Sequence, residues 1–243
     1  MYAFFKKELS SFFSNITGYL VAVVFFALTG LFMWVFPGNL NVLDSGYATL
    51  DTLFTIAPWV FLFLVPAVTM RSFSEEKKTG TIELLLTRPI SDFQLILGKY
   101  FAAVVLILIL LVPVLIYFVS VYALGNPVGN MDTGGTWGSF IGLLCLASAY
   151  AAIGVFTSST TDNQIVAFIL AVVLCLFVYS GVAKIGQVQL FSFAQYFLAS
   201  VCIEEHYSSM SRGVIDTRDL IYFLSLCSFF ILSTKLLLES RKW

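Results

Sequence analysis

The sequence predicts an all-α polytopic membrane protein, and its composition and its pattern of hydropathy both point there. Of the 243 residues, 59% are hydrophobic and only 11% are charged, whereas a soluble domain carries roughly a quarter charged residues. Apolar runs recur along the whole chain, and a hydrocarbon core of about 30 Å needs about 20 residues of helix to cross it. The net charge of −1 gives no reason to expect a nucleic-acid partner.

We predict a single domain over residues 1–243 with six transmembrane spans. The predicted spans cover residues 16–36, 52–70, 100–124, 136–157, 164–183 and 220–238. The first apolar run follows Lys6 and Lys7 as a signal peptide would, but it is too long for a signal peptide and lacks a small-residue cleavage site. We therefore expect the first run to be a retained span.

The distribution of Lys and Arg predicts the orientation. If the N-terminus is cytoplasmic, ten of the thirteen Lys and Arg residues fall in cytoplasmic segments and three in extracytoplasmic ones. Positive residues are enriched in cytoplasmic loops. Both termini and the 71–99 loop are therefore predicted to be cytoplasmic.

Two segments outside the spans have an apolar character of their own. Residues 1–15 alternate aromatic residues with lysines at helical spacing, which favours a helix lying in the membrane interface over a frayed terminus. Residues 184–219 form the longest extracytoplasmic segment. Within it, residues 188–203 are apolar but short for a span, so either a re-entrant or a surface-lying element is expected.

The loop at residues 71–99 concentrates charge in an otherwise apolar chain, and local signals divide it. Phe73–Lys78 should continue the second span as helix, and Gly80 should end it. Thr81 can cap a short helix with one apolar face, which Pro89 stops. Ser91 should cap the next helix. The short helix could anchor the loop on the lipid surface or dock into a groove of a cytoplasmic partner, and the residues alone leave both open.

The stretch VPAVTMRSFSEEKKTGTIELLLTRPISDFQLILGKY (65–100) resembles the signature of the ABC-2 family of transporter permeases. The matching elements are Glu75–Glu76, Gly80–Thr81, Glu83–Leu84–Leu85 and Gly98–Lys99. The six-span layout resembles the family as well. A narrower resemblance, carried by residues 1–13 and 211–226, is to the permease subunit of the gliding-motility (Gld) transporter of Bacteroidota.

The resemblance implies that the loop contains a coupling helix in contact with a separate ATPase. The contact would run through Glu75, Glu76, Lys77, Thr79, Gly80, Thr81, Glu83, Leu84 and Leu85. It also implies a homodimer, two ATPase copies that bind ATP and Mg, and a second membrane subunit with a large extracytoplasmic domain. The function would be export, or mechanical transmission in gliding motility, at a bacterial inner membrane. We expect Glu76→Lys or Gly80→Pro to abolish association with the ATPase and to spare membrane insertion.

No enzyme site is expected in this chain. The Gly98–Lys99 pair lacks the rest of a Walker A motif, and the sequence contains no hydrolase constellation. A metal site at Cys202, Glu204 and His206 lacks a ligand pattern, so His206 is expected to be solvated. No cofactor is therefore expected.

Two competing functions follow from the residues. One is a membrane anchor without transport, for which the 71–89 loop would merely sit on lipid. The other is an ion-coupled carrier, which is disfavoured because the sequence predicts no acid, Arg or His deep inside a span.

Within the fourth span, Gly138 and Gly142 form a GxxxG pattern that favours a close helix contact within the chain over a dimer seam.

Overall fold

The computed structural model describes residues 2–14, 16–81, 91–186, 198 and 200–240. The described α-helices are α1 Tyr2–Ser14, α2 Ile16–Gly30, α3 Val42–Ser45, α4 Asp51–Thr69, α5 Arg71–Lys78, α6 Asp92–Leu111, α7 Leu115–Leu124, α8 Thr133–Thr160, α9 Gln164–Leu176, α10 Val182–Gly186, α11 Ile203–Met210 and α12 Thr217–Glu239. No strand occurs within these ranges.

Six helical stretches are long and apolar enough to cross a membrane, which confirms the predicted fold class. They are Gly18–Val35, Asp51–Lys78, Asp92–Leu124, Thr133–Thr160, Gln164–Gly186 and Thr217–Glu239. Several of these stretches combine two helical elements. The second joins α4 to α5, and the third joins α6 to α7 through a short 3₁₀ turn at Val112–Val114. That turn contains Pro113, whose missing N–H interrupts the α-helical hydrogen bonds.

The fourth span, α8, is the centre of the bundle. It packs against α4, α6, α9 and α12, and it is the most buried of the six spans. Small residues allow this because they bring helix backbones close together. A Cβ built on Gly154 would lie 1.9 Å from Oγ1 of Thr69 in α4. The two helices thus meet where no larger side chain fits.

The GxxxG pattern of α8 makes a contact within the chain, as predicted. A Cβ on Gly138 would lie 2.5 Å from the carbonyl oxygen of Gly213, and one on Gly142 would lie 2.6 Å from Cβ of Met210. Ser139, between them, donates a hydrogen bond to the carbonyl of Ser211. The end of α11 and the turn after it therefore rest directly on the glycine face of α8.

Candidate functional site

The helix α5 continues the second span beyond Met70 and is fixed to the C-terminal end of α8. Oγ of Ser158 accepts hydrogen bonds from the backbone N–H of Phe73 at 2.9 Å and of Ser74 at 3.1 Å, and it donates to the carbonyl of Met70 at 2.9 Å. Lys77 donates from Nζ to the carbonyl of Ser159. One serine thereby satisfies the backbone groups at the α4–α5 junction, where helix ends leave such groups unpaired.

Lys99 is the centre of a buried ion cluster on the other side of α5. Its Nζ lies 2.9 Å from Oε1 of Glu8, 2.9 Å from Oε1 of Glu76 and 2.5 Å from the carbonyl oxygen of Ser72. The residue is only 2% exposed, and Nζ lies 5.0 Å from the centre of the Phe73 ring. An ammonium has three N–H donors, and each of them has an acceptor here.

This cluster ties three helices together at one end of the bundle. Glu8 belongs to α1, Glu76 to α5 and Lys99 to α6. The third span was predicted to begin at residue 100, but the helix that contains it begins at Asp92. Because Ser91 caps α6 by accepting from the N–H of Gln94, the helix begins well before residue 100. Lys99 is therefore about two turns inside it.

A turn after α5 carries a more exposed set of groups. The N–H of Thr79 donates to the carbonyl of Glu75 at 3.0 Å, and the N–H of Gly80 donates to that of Lys77 at 3.1 Å. Gly80 has a φ of +71°, a left-handed conformation that costs little only for glycine. The predicted helix end at Gly80 is confirmed.

Comparison with protein families gives the identity of the bundle. Residues 42–233 match the model of a family described as ABC-2 family transporter protein. The chain belongs to the ABC-2 transporter family. It is therefore the membrane permease subunit of an ABC transporter. Permeases of this family work together with an ATPase subunit. No curated protein has a sequence that matches it.

The predicted coupling residues of the permease that the structure describes fall into an exposed group and a group that faces the bundle. Glu75, Thr79, Gly80 and Thr81 are exposed. Glu76 and Lys77 instead face the bundle, toward Lys99 and Ser159 respectively. Glu83, Leu84 and Leu85 lie outside the described residues. The sequence could not reveal the inward direction of Glu76, because a Glu-Glu doublet near lysines is equally typical of a solvated face.

A second polar cluster lies at the opposite end of the permease and corrects the expectation that His206 is solvated. Its Nδ1 lies 2.7 Å from Oδ1 of Asp219, and its Nε2 lies 2.9 Å from the carbonyl of Ser200. The ring stacks on Tyr222 with centroids 4.0 Å apart. Asp219 is itself buried near the start of α12, where a carboxylate is stabilised by the helix N-terminus.

Both ring nitrogens of His206 therefore have protein partners. Within the described ranges, no group of three or more His, Cys, Asp or Glu side chains could hold a metal ion. The thiol of Cys202, which is 1% exposed, also has a protein partner. Its Sγ accepts a hydrogen bond from the N–H of Ala183 at 2.9 Å. The cluster joins α11 to α12 and helps to fix the segment between them.

Proposed function

We propose that the exposed turn after α5 receives a separate cytoplasmic ATPase, and that α5 transmits its motion to the spans. The observation that supports this proposal is the contrast between the outer and inner faces of α5. Glu75 and the turn Thr79–Thr81, together called the tip, are exposed. The inner face, called the base, is held by buried polar contacts to α6 and α8. A tip that is open to water and a base that is fixed is what a docking lever requires.

The contacts at the base determine which spans would move. Ser158 and Ser159 belong to α8, the central helix of the bundle, and Lys99 belongs to α6. Directional hydrogen bonds and ion pairs resist sliding better than apolar contacts do, because small displacements leave buried polar groups unpaired. A push on the α5 tip would therefore displace the second, third and fourth spans as one body.

The orientation proposed here places the α5 tip in the cytoplasm, at a bacterial inner membrane. The argument is the excess of Lys and Arg at this end of the bundle. Ten of the thirteen Lys and Arg residues belong to the segments at this end. Without Lys99, which is buried in an ion cluster, the count is nine against three and the bias keeps its direction.

The assembly we propose is a homodimer with two ATPase copies, which would bind ATP and Mg, whereas this chain would be non-catalytic. A second membrane subunit with a large extracytoplasmic domain would complete it. The output would be export of a substrate or transmission of motion to an extracytoplasmic partner in gliding motility. The narrower resemblance in sequence supports this last part of the proposal.

A photo-crosslinking amino acid at Thr79 tests the docking surface in intact cells. We expect it to capture a protein that binds ATP, and the same amino acid at exposed Val214, at the opposite end, should not capture it. Glu75→Lys should reduce copurification of that ATPase, and Lys78→Gln on the same helix is the control for a lost surface charge.

Glu76→Lys is a poor test of docking, contrary to the sequence-based expectation, because it would place a second cation against Lys99. Failure of Thr79 to capture an ATP-binding protein would refute the proposed docking surface. Capture without stimulated ATP hydrolysis in reconstituted vesicles would instead favour a membrane anchor.

A further inference from the structure

A cavity of about 330 Å³ lies between α1, the α4–α5 junction and the middle of α6. Its volume is at the lower end of the roughly 300–1,000 Å³ typical of small-molecule sites. The ion cluster of Lys99 forms part of its wall. The cavity shares Glu75, Thr79 and Thr81 with the proposed docking surface, whereas Lys7, Arg71 and the Lys99 cluster belong to the cavity alone.

Two residues that line the cavity, Arg71 and Glu76, each have a buried side-chain atom without a hydrogen-bond partner. Nε of Arg71 is a hydrogen-bond donor, and Oε2 of Glu76 is an acceptor. Within the described residues, only two other buried side-chain atoms, on Tyr150 and Asp219, share this condition. Buried polar groups are usually paired, because leaving one unpaired costs free energy. The pair of atoms therefore points to a ligand that both accepts and donates.

The charges around the cavity balance. Lys99 pairs with Glu8 and Glu76, which leaves one net negative charge on that cluster. Glu75 adds a second negative charge, and Lys7 and Arg71 add two positive ones. The wall is then neutral as a whole but carries both signs. A simple anion or cation would leave one sign uncompensated, whereas a zwitterion would pair with both.

The inner wall of the cavity is apolar. It is formed by Ala67, Val68, Ala102, Ala103 and Leu106, which come from α4 and α6. Because α4 and α6 are membrane spans and α5 extends beyond the first of them, the cavity lies near the end of the bilayer-crossing region. Phosphate and amine groups of lipids lie at that depth, with hydrocarbon beneath them.

We propose that this cavity binds a zwitterion with a phosphate and a primary ammonium, as found in an aminophospholipid head group. Arg71 and Lys7 would bind the phosphate, since guanidinium and phosphate form strong charge-assisted hydrogen bonds. Oε2 of Glu76, with Glu75 at the mouth, would accept from the ammonium. The ligand would join α1 to α5 beside the Lys99 cluster. The inference requires only a membrane setting, and Arg71 and Lys7 lie outside the residues proposed for docking.

Native mass spectrometry of the purified full-length permease tests the site. Phosphatidylethanolamine should bind at one molecule per chain. Phosphatidylcholine lacks an ammonium N–H and phosphatidylglycerol lacks an ammonium, so each should bind at least about tenfold more weakly, as expected for one lost charged hydrogen bond. If soluble phosphoethanolamine displaces the lipid, the ligand is a water-soluble zwitterion. If it does not, the ligand is a membrane lipid.

Variants separate the site from the rest of α5. Arg71→Gln should weaken binding of phosphatidylethanolamine by about tenfold or more. Glu75→Gln, at an exposed position, should reduce the preference for phosphatidylethanolamine over phosphatidylglycerol. It should not disturb buried groups. Lys78→Gln removes a cation from the same helix outside the cavity and should leave the affinity unchanged.

The proposal is overturned if the three lipids bind equally, if none binds saturably, or if Arg71→Gln and wild type bind alike. Thermal melting of each variant identifies misfolding. Should Arg71→Gln misfold, the lipid preference of Glu75→Gln decides, and an unchanged preference would reject the site.

Discussion

The buried ammonium of Lys99 is stable only because its surroundings replace water completely. Two carboxylates and one carbonyl take its three N–H donors, and the ring of Phe73 adds a favourable face. Burying a charge without such partners would cost several kcal/mol. The partners come from three helices, so the pairing also fixes how those helices are placed.

Lys99→Met should strongly destabilise the permease. The substitution keeps an unbranched side chain of similar length but leaves Glu8 and Glu76 close together without a cation. Removing one partner of a buried ion pair costs about 3–5 kcal/mol. The lower part of that range is expected, because the Glu8 side chain is 26% exposed and the Glu76 side chain 12%. Thermal unfolding of the purified protein in detergent measures the loss.

Lys78→Met is the matched control, since Lys78 is exposed at the end of α5. It should unfold at nearly the wild-type temperature. Adding Glu8→Gln to Lys99→Met should recover part of the stability, because one unpaired carboxylate is removed. If Lys99→Met unfolds at the same temperature as Lys78→Met, the cluster contributes nothing to stability.

Among the elements, α4 and α8 pack closely against each other at Gly154. Gly154→Ala should therefore destabilise the bundle, because its Cβ would lie 1.9 Å from Oγ1 of Thr69. Overpacking of this kind costs about 1–3 kcal/mol when backbones must shift. Thermal unfolding in detergent measures it.

Gly134→Ala is the control within the same helix, since its Cβ would come no closer than 3.6 Å to any atom. It should have little effect. Shortening Thr69 to alanine should partly rescue Gly154→Ala by removing the nearest atom. If Gly154→Ala and Gly134→Ala unfold at the same temperature, the α4–α8 contact accommodates the added methyl group without loss of stability.

The start of α12 depends on pH through its cap. Oδ1 of Asp216 accepts from the N–H of Arg218 at 3.0 Å, and this hydrogen bond holds the pKa of the Asp216 carboxyl below its ordinary value. A lowered folded-state pKa stabilises the helix above the unfolded-state pKa, and this contribution is lost as the pH falls through the folded-state pKa. The first turn of α12 should therefore loosen in acid.

Hydrogen exchange at the amide of Arg218 measures this loosening between about pH 6 and pH 3. Asp216→Asn keeps a capping side chain without a titratable group, so its protection, corrected for the intrinsic exchange rate, should not change over that range. Asp216→Ala should lack the protection at both pH values. The same pH response in wild type and Asp216→Asn would exclude the carboxylate as its origin.

At the scale of the whole molecule, the two ends of the bundle should face opposite sides of the membrane. Val214→Cys lies at the α11–α12 end, where the residue is 60% exposed. A maleimide that cannot cross membranes should label it in intact cells. Lys78→Cys lies at the α5 end and should be labelled only after the membrane is opened.

The native Cys202 cannot serve for this topology test, because it is buried. Wild-type protein, with its four free cysteines, supplies the background for both variants. Labelling of Lys78→Cys in intact cells, with Val214→Cys protected, would invert the proposed orientation. The docking surface for a cytoplasmic ATPase would then be untenable.

The sequence by itself determined the features that depend on neighbours along the chain. The six spans follow from the length of apolar runs, the end of α5 from Gly80, and the start of α6 from the cap at Ser91. The GxxxG spacing also indicated a close approach. These signals act within a few residues, so hydropathy and local backbone preferences are sufficient to find them.

Only the tertiary structure decided which charged groups face inward. Glu8, Glu76 and Lys99 lie far apart in the sequence and become partners because α1 packs against α6 and Nζ of Lys99 reaches both carboxylates. His206 is similar, since Asp219 and Ser200 reach it from different segments. Whether a charge is solvated or buried depends on what packs against it, and a pattern along one helix does not contain that information.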